Sequence, residues 1–271
     1  MMATKRKVAK KASIRKQTAG ATTAVQVAKN IDDVRRQLKV LCDDSKRIEA
    51  RMAALQSLGA AAFSVANFES VNTEYIAALR QVSTDSHEQL RRRALGILMR
   101  NKDGFAQKKL LNGLKDPAKA LLPPEKALQL LGNDVHAEAY SAARAIVKKP
   151  PSQEAKREAL RLLAADAKSA PLFEKVLRDK KEMRENRQIA ASALNSLNPE
   201  KLQQQALKIL KDKSDYADIK ATSLTALEQF GDDAALGKDK ALMRSVTRFE
   251  SSKTAAKYKQ TARRFLSKHS Q

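Results

Sequence analysis

Small and apolar positions recur along this chain in one register. A basic residue is followed three positions later by Ala or Ser, then usually by Leu, and another Leu comes four positions after the small residue. The clear copies run Arg51 to Ala54-Leu55 to Leu58, Arg91 to Ala94-Leu95 to Leu98, Lys156 to Ala159-Leu160 to Leu163, Arg187 to Ala190 to Leu194, and Lys220 to Ser223-Leu224 to Leu227. Two weaker copies centre on Ala127, with Pro124 in the basic slot, and on Ala262, with Lys259 there. The small residues therefore stand at 54, 94, 127, 159, 190, 223 and 262, in steps of 40, 33, 32, 31, 33 and 39. Residues three and four apart share one face of a helix, so each copy is a helix with a buried stripe. A repeat of this length in helical sequence means stacked helix pairs, each burying its apolar face on its neighbours. The expected fold is all-α: a right-handed α-solenoid of about seven antiparallel helix pairs.

The positions between the copies divide the chain further. An ordered body is expected to start near Ile31, where Val34, Leu38 and Leu41 keep helical spacing until Asp43-Asp44-Ser45 breaks it. A second helix is expected over 46–59, with Gly59 as its C-terminal cap. Further helices are expected over 68–82 and over the copy at Ala94, capped by residues 83–86. The remaining pairs fall at 105–114 with 124–131, 135–147 with 152–164, 170–177 with 184–197, 202–210 with 216–230, and 241–249 with 254–266. Pro117, Pro123, Pro124, Pro150, Pro151, Pro171 and Pro199 all fall at the turns or first helical positions so defined, where a missing backbone donor costs little.

Charge changes the picture from fold to partner. The 271 residues carry a formal charge of +23, which points to an anionic partner and says nothing of fold. Residues 1–30 hold Lys5, Arg6, Lys7, Lys10, Lys11, Arg15, Lys16 and Lys29 with no acid and no apolar stripe. Such a block is expected to be a disordered tail, either solubilising or a contact for nucleic acid. It resembles a transit peptide in composition, but Lys outweighs Arg, which argues against organelle import. With one cysteine, Cys42, and no apolar run long enough to span a membrane, a cytoplasmic setting is expected, with nucleoid or nucleus left open.

These residues resemble HEAT repeats, the helix–turn–helix solenoid family that includes shorter bacterial HEAT-like units. In that family an Asp-bearing turn precedes a second helix reading apolar, Arg, two variable residues, Ala, apolar. Here Asp85 precedes Leu90-Arg91 and Ala94-Leu95, Asp179 precedes Asn186-Arg187 and Ala190, and Asp212 with Asp215 precedes Ile219-Lys220. The resemblance covers about residues 31–267. It implies a curved stack with second helices along the concave side and no particular activity. The slot cations Arg51, Arg91, Lys156, Arg187 and Lys220 are expected to partner turn aspartates, their stems covering core.

Positions two before and two after each small residue should face away from the core. They are Met52 and Gln56, Arg92 and Gly96, Glu125 and Gln129, Arg157 and Arg161, Gln188 and Ser192, Ala221 and Thr225, and Gln260 and Arg264. Four of these fourteen are Arg and one is acidic, and Arg suits bidentate pairing with phosphate or carboxylate. The plainer reading is a chance excess within a basic chain. Arg92, Arg93, Arg157 and Arg161 form the candidate binding set, with Lys148 and Lys149 extending it. The partner is an acidic protein or a nucleic-acid backbone, and a monomer is favoured. No catalytic, cofactor or metal residues are expected. His87, His136 and His269 are scattered, as on solvated helix surfaces, and Cys42 lacks an activating His and reads as a buried small hydrophobe. The HEAT-like alkylpurine DNA glycosylases rely on Trp, which this chain lacks. A binding scaffold is the leading reading; contact with DNA or RNA phosphates, without base readout, is the alternative.

Overall fold

The computed structural model describes residues 27–132, 137–231 and 233–269. Every regular element among them is a helix. They form two compact units, one ending at Tyr75 and the other starting at Ile76, a division that the repeat period does not announce. The tail expected over 1–30 lies outside the described residues as far as position 26, and with it Lys5, Arg6, Lys7, Lys10, Lys11, Arg15 and Lys16. Packing begins before Ile31. Ala28 is buried and its amide donates to the Ser57 hydroxyl at 3.0 Å.

In the first unit, α1 (Ile31–Cys42) opens on Asn30, whose side chain accepts from the Asp33 amide at 2.8 Å. It buries Val34, Leu38 and Leu41 and packs on α2 (Ile48–Ser64). Gly59 does not cap α2; the helix runs on through it. Ala60, Ala61 and Ala62 are strong helix formers, and buried Ala61 continues the face of Ala54 and Leu58. The helix expected over 68–82 opens instead as a 3-10 turn (Phe68–Val71) leading into α3 (Asn72–Val82). Phe68 and Tyr75 meet edge to face at 5.4 Å.

The second unit holds the rest of α3, then α4 (Glu88–Arg100), α5 (Gly104–Lys115), α6 (Pro124–Leu131), α7 (Ala137–Lys148), α8 (Gln153–Leu163) and α9 (Ala170–Arg178). It continues through α10 (Arg184–Leu197), α11 (Pro199–Lys211), α12 (Ala217–Phe230), α13 (Asp233–Lys238), α14 (Lys240–Glu250) and α15 (Ala256–His269). Only α13, a short helix burying Leu236, has no counterpart in the sequence pattern. Helices pair as α5–α6, α7–α8, α9–α10, α11–α12 and α14–α15. The second helices also touch in succession, α4 on α6, α6 on α8, α8 on α10, α10 on α12 and α12 on α15.

The small residues explain that succession. All seven are buried, none more than 3% exposed. An alanine or serine there lets the next helix approach while the neighbouring leucines fill the interface. The last copy departs from the others: Arg263 is exposed, Leu266 is half-buried, and Phe265 takes the core position.

The turns repeat as well. Asp43, Asp116, Asp179 and Asp212 each stand eleven residues before a small marker, and each side chain accepts the amide two residues on, at 3.0, 3.1, 2.9 and 2.9 Å. Eleven residues before Ala159 the chain has Lys148 instead. Successive first helices are tied by Arg80 to Asp103, the N-cap of α5, at 2.7 Å, and by Lys211 to Asp239, the N-cap of α14, at 2.8 Å. Arg144 and Asp166 make the corresponding pair ahead of α9.

These carboxylates set the response to acid. Lys180 and Ser214 hold Asp212, and Lys211 and the Leu242 amide hold Asp239, below the ordinary value of 3.8. Burial works to raise Asp103 and Glu182, but Arg80 and the Ala106 amide, and Lys156 and Asn186, outweigh it and leave both lowered. A lowered native pKa contributes stability above the unfolded value that is lost as pH falls through the native one. The urea midpoint is therefore expected to hold from pH 7 to about 5 and to fall below about pH 4. Asp103→Asn should lower the neutral plateau and shallow the acid slope; an unchanged slope would show that Asp103 takes no part.

Candidate functional site

The slot cations are held inside the structure. Arg187 is 1% exposed; its Nε donates to the Leu177 carbonyl at 2.8 Å, and Nη1 and Nη2 grip both oxygens of Asp215 at 2.7 Å. Arg51 repeats the arrangement, with Nε on the Leu41 carbonyl at 2.9 Å and Nη2 3.1 Å from Asp44. In both cases the carbonyl lies ten residues back, in the last turn of the first helix, where it has no intrahelical donor. Arg91 uses carbonyls alone, those of Leu121, Asp85 and Ser86 at 2.9, 2.6 and 2.8 Å. Lys156 pairs with Glu182 in the following turn. Lys220 differs from all four. It is 8% exposed, and among the described residues its ammonium hydrogen-bonds only to the Lys213 carbonyl, at 3.3 Å. Burial pushes it below the ordinary lysine value, against the pull of Asp215 and Asp212.

The candidate set lies elsewhere. Arg92 and Arg93 are exposed on α4, Lys148 and Lys149 are exposed at the end of α7, and Arg157 is half-buried on α8. Among the described residues none of these five has an ion-pair partner. Arg161 is exposed but engaged, its Nη1 lying 2.5 Å from Glu158 on the same helix. The set is not one cluster. α6 touches both α4 and α8, and at the corresponding positions it presents Glu125 and Gln129. With helices about 8–10 Å apart, the two arginine groups are separated by roughly 16–20 Å. Two of the fourteen face positions, Gly96 and Ala221, turn out buried, and a Cβ on Gly96 would meet Leu130 at 3.9 Å.

A cavity of about 1020 Å³ lies between the α5–α6 connection and α7, walled by Leu121, Leu122, Pro123, Ala142 and Ile146, with Lys115 and Lys149 at its edge. A second cleft, of about 260 Å³, lies between the last two helix pairs and contains Lys220. Neither was foreseen from the residue pattern. The signal for the second is the lack of an acid in residues 251–254, where the repeat pattern leads one to expect a turn carboxylate.

The remaining reactive groups are quiet. Cys42 is half-buried rather than buried, and burial raises its thiol, which disfavours the nucleophilic thiolate. His269 is not on a solvated face: it is 4% exposed and packs on Phe265 with ring centroids 4.4 Å apart, because α15 runs on to bring it over the face of Ala262. His87 is half-buried beside the start of α4, and His136 lies outside the described residues. No helix among the described residues is long and apolar enough to cross a membrane. Comparison with models of known families finds no match, and no curated protein matches the chain.

Proposed function

We propose that this chain is a non-enzymatic HEAT-like solenoid scaffold that holds an anionic partner on its second helices. The solenoid reading rests on the succession of second helices, each packed on the next through a buried small residue. The binding reading rests on one contrast. Arg51, Arg91, Lys156 and Arg187 are spent on carbonyls and carboxylates within the fold, whereas Arg92, Arg93 and Arg157, with Lys148 and Lys149, reach solvent without an ion-pair partner among the described residues. An unpaired, solvent-facing guanidinium can offer two parallel donors to a carboxylate or phosphate.

An acidic protein surface is the leading partner, and the phosphate backbone of DNA or RNA is the alternative that the +23 charge favours. Salt titration separates them. For a 20-base-pair duplex followed by fluorescence anisotropy, log affinity should fall with log salt by about 0.9 per phosphate neutralised. Arg92→Gln, Arg157→Gln and Arg161→Gln together should remove about two units of that slope, since Glu158 already shares Arg161. The comparison belongs in protein lacking residues 1–26, so that the basic charge of that segment adds nothing to the slope. If that protein ignores the duplex at low salt and the triple variant loses an acidic peptide instead, the partner is protein. If the triple variant binds both as well as its parent, the proposal fails.

A further inference from the structure

The cleft around Lys220 lacks an anion that the preceding repeats supply. Lys156 meets Glu182, and Arg187 meets Asp215; in each case the carboxylate comes from the turn of the next helix pair. The turn following Lys220, between α14 and α15, reads Ser251-Ser252-Lys253-Thr254, with no acid. Glu250, just before it, is committed to Arg263 at 2.7 Å. Nor can the acids of its own turn serve. Asp215 gives both oxygens to Arg187, and Asp212 is held by Lys180 and Ser214.

What the cleft has in place of the carboxylate is donors. Lys213, Arg248 and Lys253 line it with Lys220, and none of the four has an ion-pair partner among the described residues; Asp215 is the one carboxylate in the wall, and both its oxygens are held by Arg187. Thr254 adds a hydroxyl, whereas that of Ser252 is spent on the Phe249 carbonyl at 2.6 Å. Lys220 is more than nine-tenths buried and makes one long hydrogen bond, so two of its three donors are unused. Burial disfavours the ammonium, and the two acids that pull on it, Asp215 and Asp212, are shared with Arg187 and Lys180. Other slots avoid this: Arg91, which also lacks an acid, gives its donors to three carbonyls.

We infer that this cleft is a binding site for a single phosphate group. Four cations and a hydroxyl exceed what a monovalent carboxylate needs and match a tetrahedral dianion with several acceptor oxygens. The volume of about 260 Å³ lies below the roughly 300–1,000 Å³ of pockets for drug-sized ligands, so the group that enters is small or is the end of something larger. Its source is either a free phosphate or the terminal phosphate of a nucleic-acid strand. The site is independent of the face described above, since neither Arg92, Arg93, Arg157 nor Arg161 lines it.

The test follows the lysine side-chain NMR signals of the full chain, with Lys220 assigned from Lys220→Met. Inorganic phosphate is titrated at constant ionic strength against sodium chloride; a single-stranded oligonucleotide bearing a terminal phosphate is titrated separately in phosphate-free buffer. The expected result is a saturable shift of Lys220 with at least one of them, weakened at least tenfold by Arg248→Gln, an exposed position whose change leaves the core intact. Ser252→Glu, which supplies the missing carboxylate, should abolish the shift and raise the melting temperature. Response to phosphate marks a free ligand, and response to the oligonucleotide alone marks a strand. The triple arginine variant of the second-helix face should respond like the parent. No saturable shift with either probe, or one that persists unweakened in Arg248→Gln, overturns the inference.

Discussion

Arg187→Ala is expected to destabilise the second unit by about 3–5 kcal/mol, the cost of breaking a buried ion pair from one side. The substitution removes a guanidinium that is 1% exposed, strands Asp215, whose side chain is 3% exposed, and leaves the Leu177 carbonyl at the end of α9 without its donor. Most of the loss is therefore the penalty of the groups left behind, and this gives the prediction a second arm. Removing both charges, as Arg187→Met with Asp215→Asn, should recover a substantial part of the loss, because the stranded carboxylate is gone. Arg187→Lys keeps the charge but cannot span a carbonyl and two carboxylate oxygens at once, so it should fall between wild type and Ala. Urea unfolding followed by circular dichroism measures all three. A loss under about 1 kcal/mol for Arg187→Ala would mean that water replaces the guanidinium.

The same residue shows why part of the molecule was legible in its sequence. The marker alanines, their leucines and the slot cations obey local spacing, and local spacing decides which face of a helix is buried. Helix limits followed where a proline or a capping Asp or Asn fixed them: α6 starts at Pro124, and α10 ends at Leu197, just before Asn198 and Pro199. They failed where a residue with two uses was assigned the wrong one. Gly59 was such a case, since a glycine followed by three alanines continues a helix more easily than it ends one. His269 was another, because its burial depends on how far α15 extends.

The candidate binding set was legible only as a list. That Arg92 is exposed and Arg157 only half-buried follows from their distance to the buried stripe. That α6 stands between them with Glu125 depends on which helix packs on which. The Lys220 cleft is harder still, as it arises from an absence: the slot matches its predecessors, and only the next turn reveals that their carboxylate has not been repeated.

Phe265→Ala is expected to cost about 3–5 kcal/mol, and to cost it locally. Phe265 is fully buried in the C-terminal core with Leu210, Leu224, Leu227, Leu242, Val246 and Phe249. Removing its ring leaves a cavity among residues contributed by α11, α12, α14 and α15. In one cooperative core that loss would be felt throughout. In a stack where each pair touches only its neighbours, stability is close to a sum of repeat and interface terms, so the terminal pair should open first. Hydrogen exchange on the variant should accordingly show protection lost in α14 and α15, reduced in α12, and retained in α8 and α10. The control is Phe173→Ala in α9, an equally buried ring with helix pairs on both sides, whose loss should spread in both directions along the chain. If Phe265→Ala instead lowers protection evenly from α5 to α15, the second unit unfolds as one body, and the nearest-neighbour reading of the repeats is wrong.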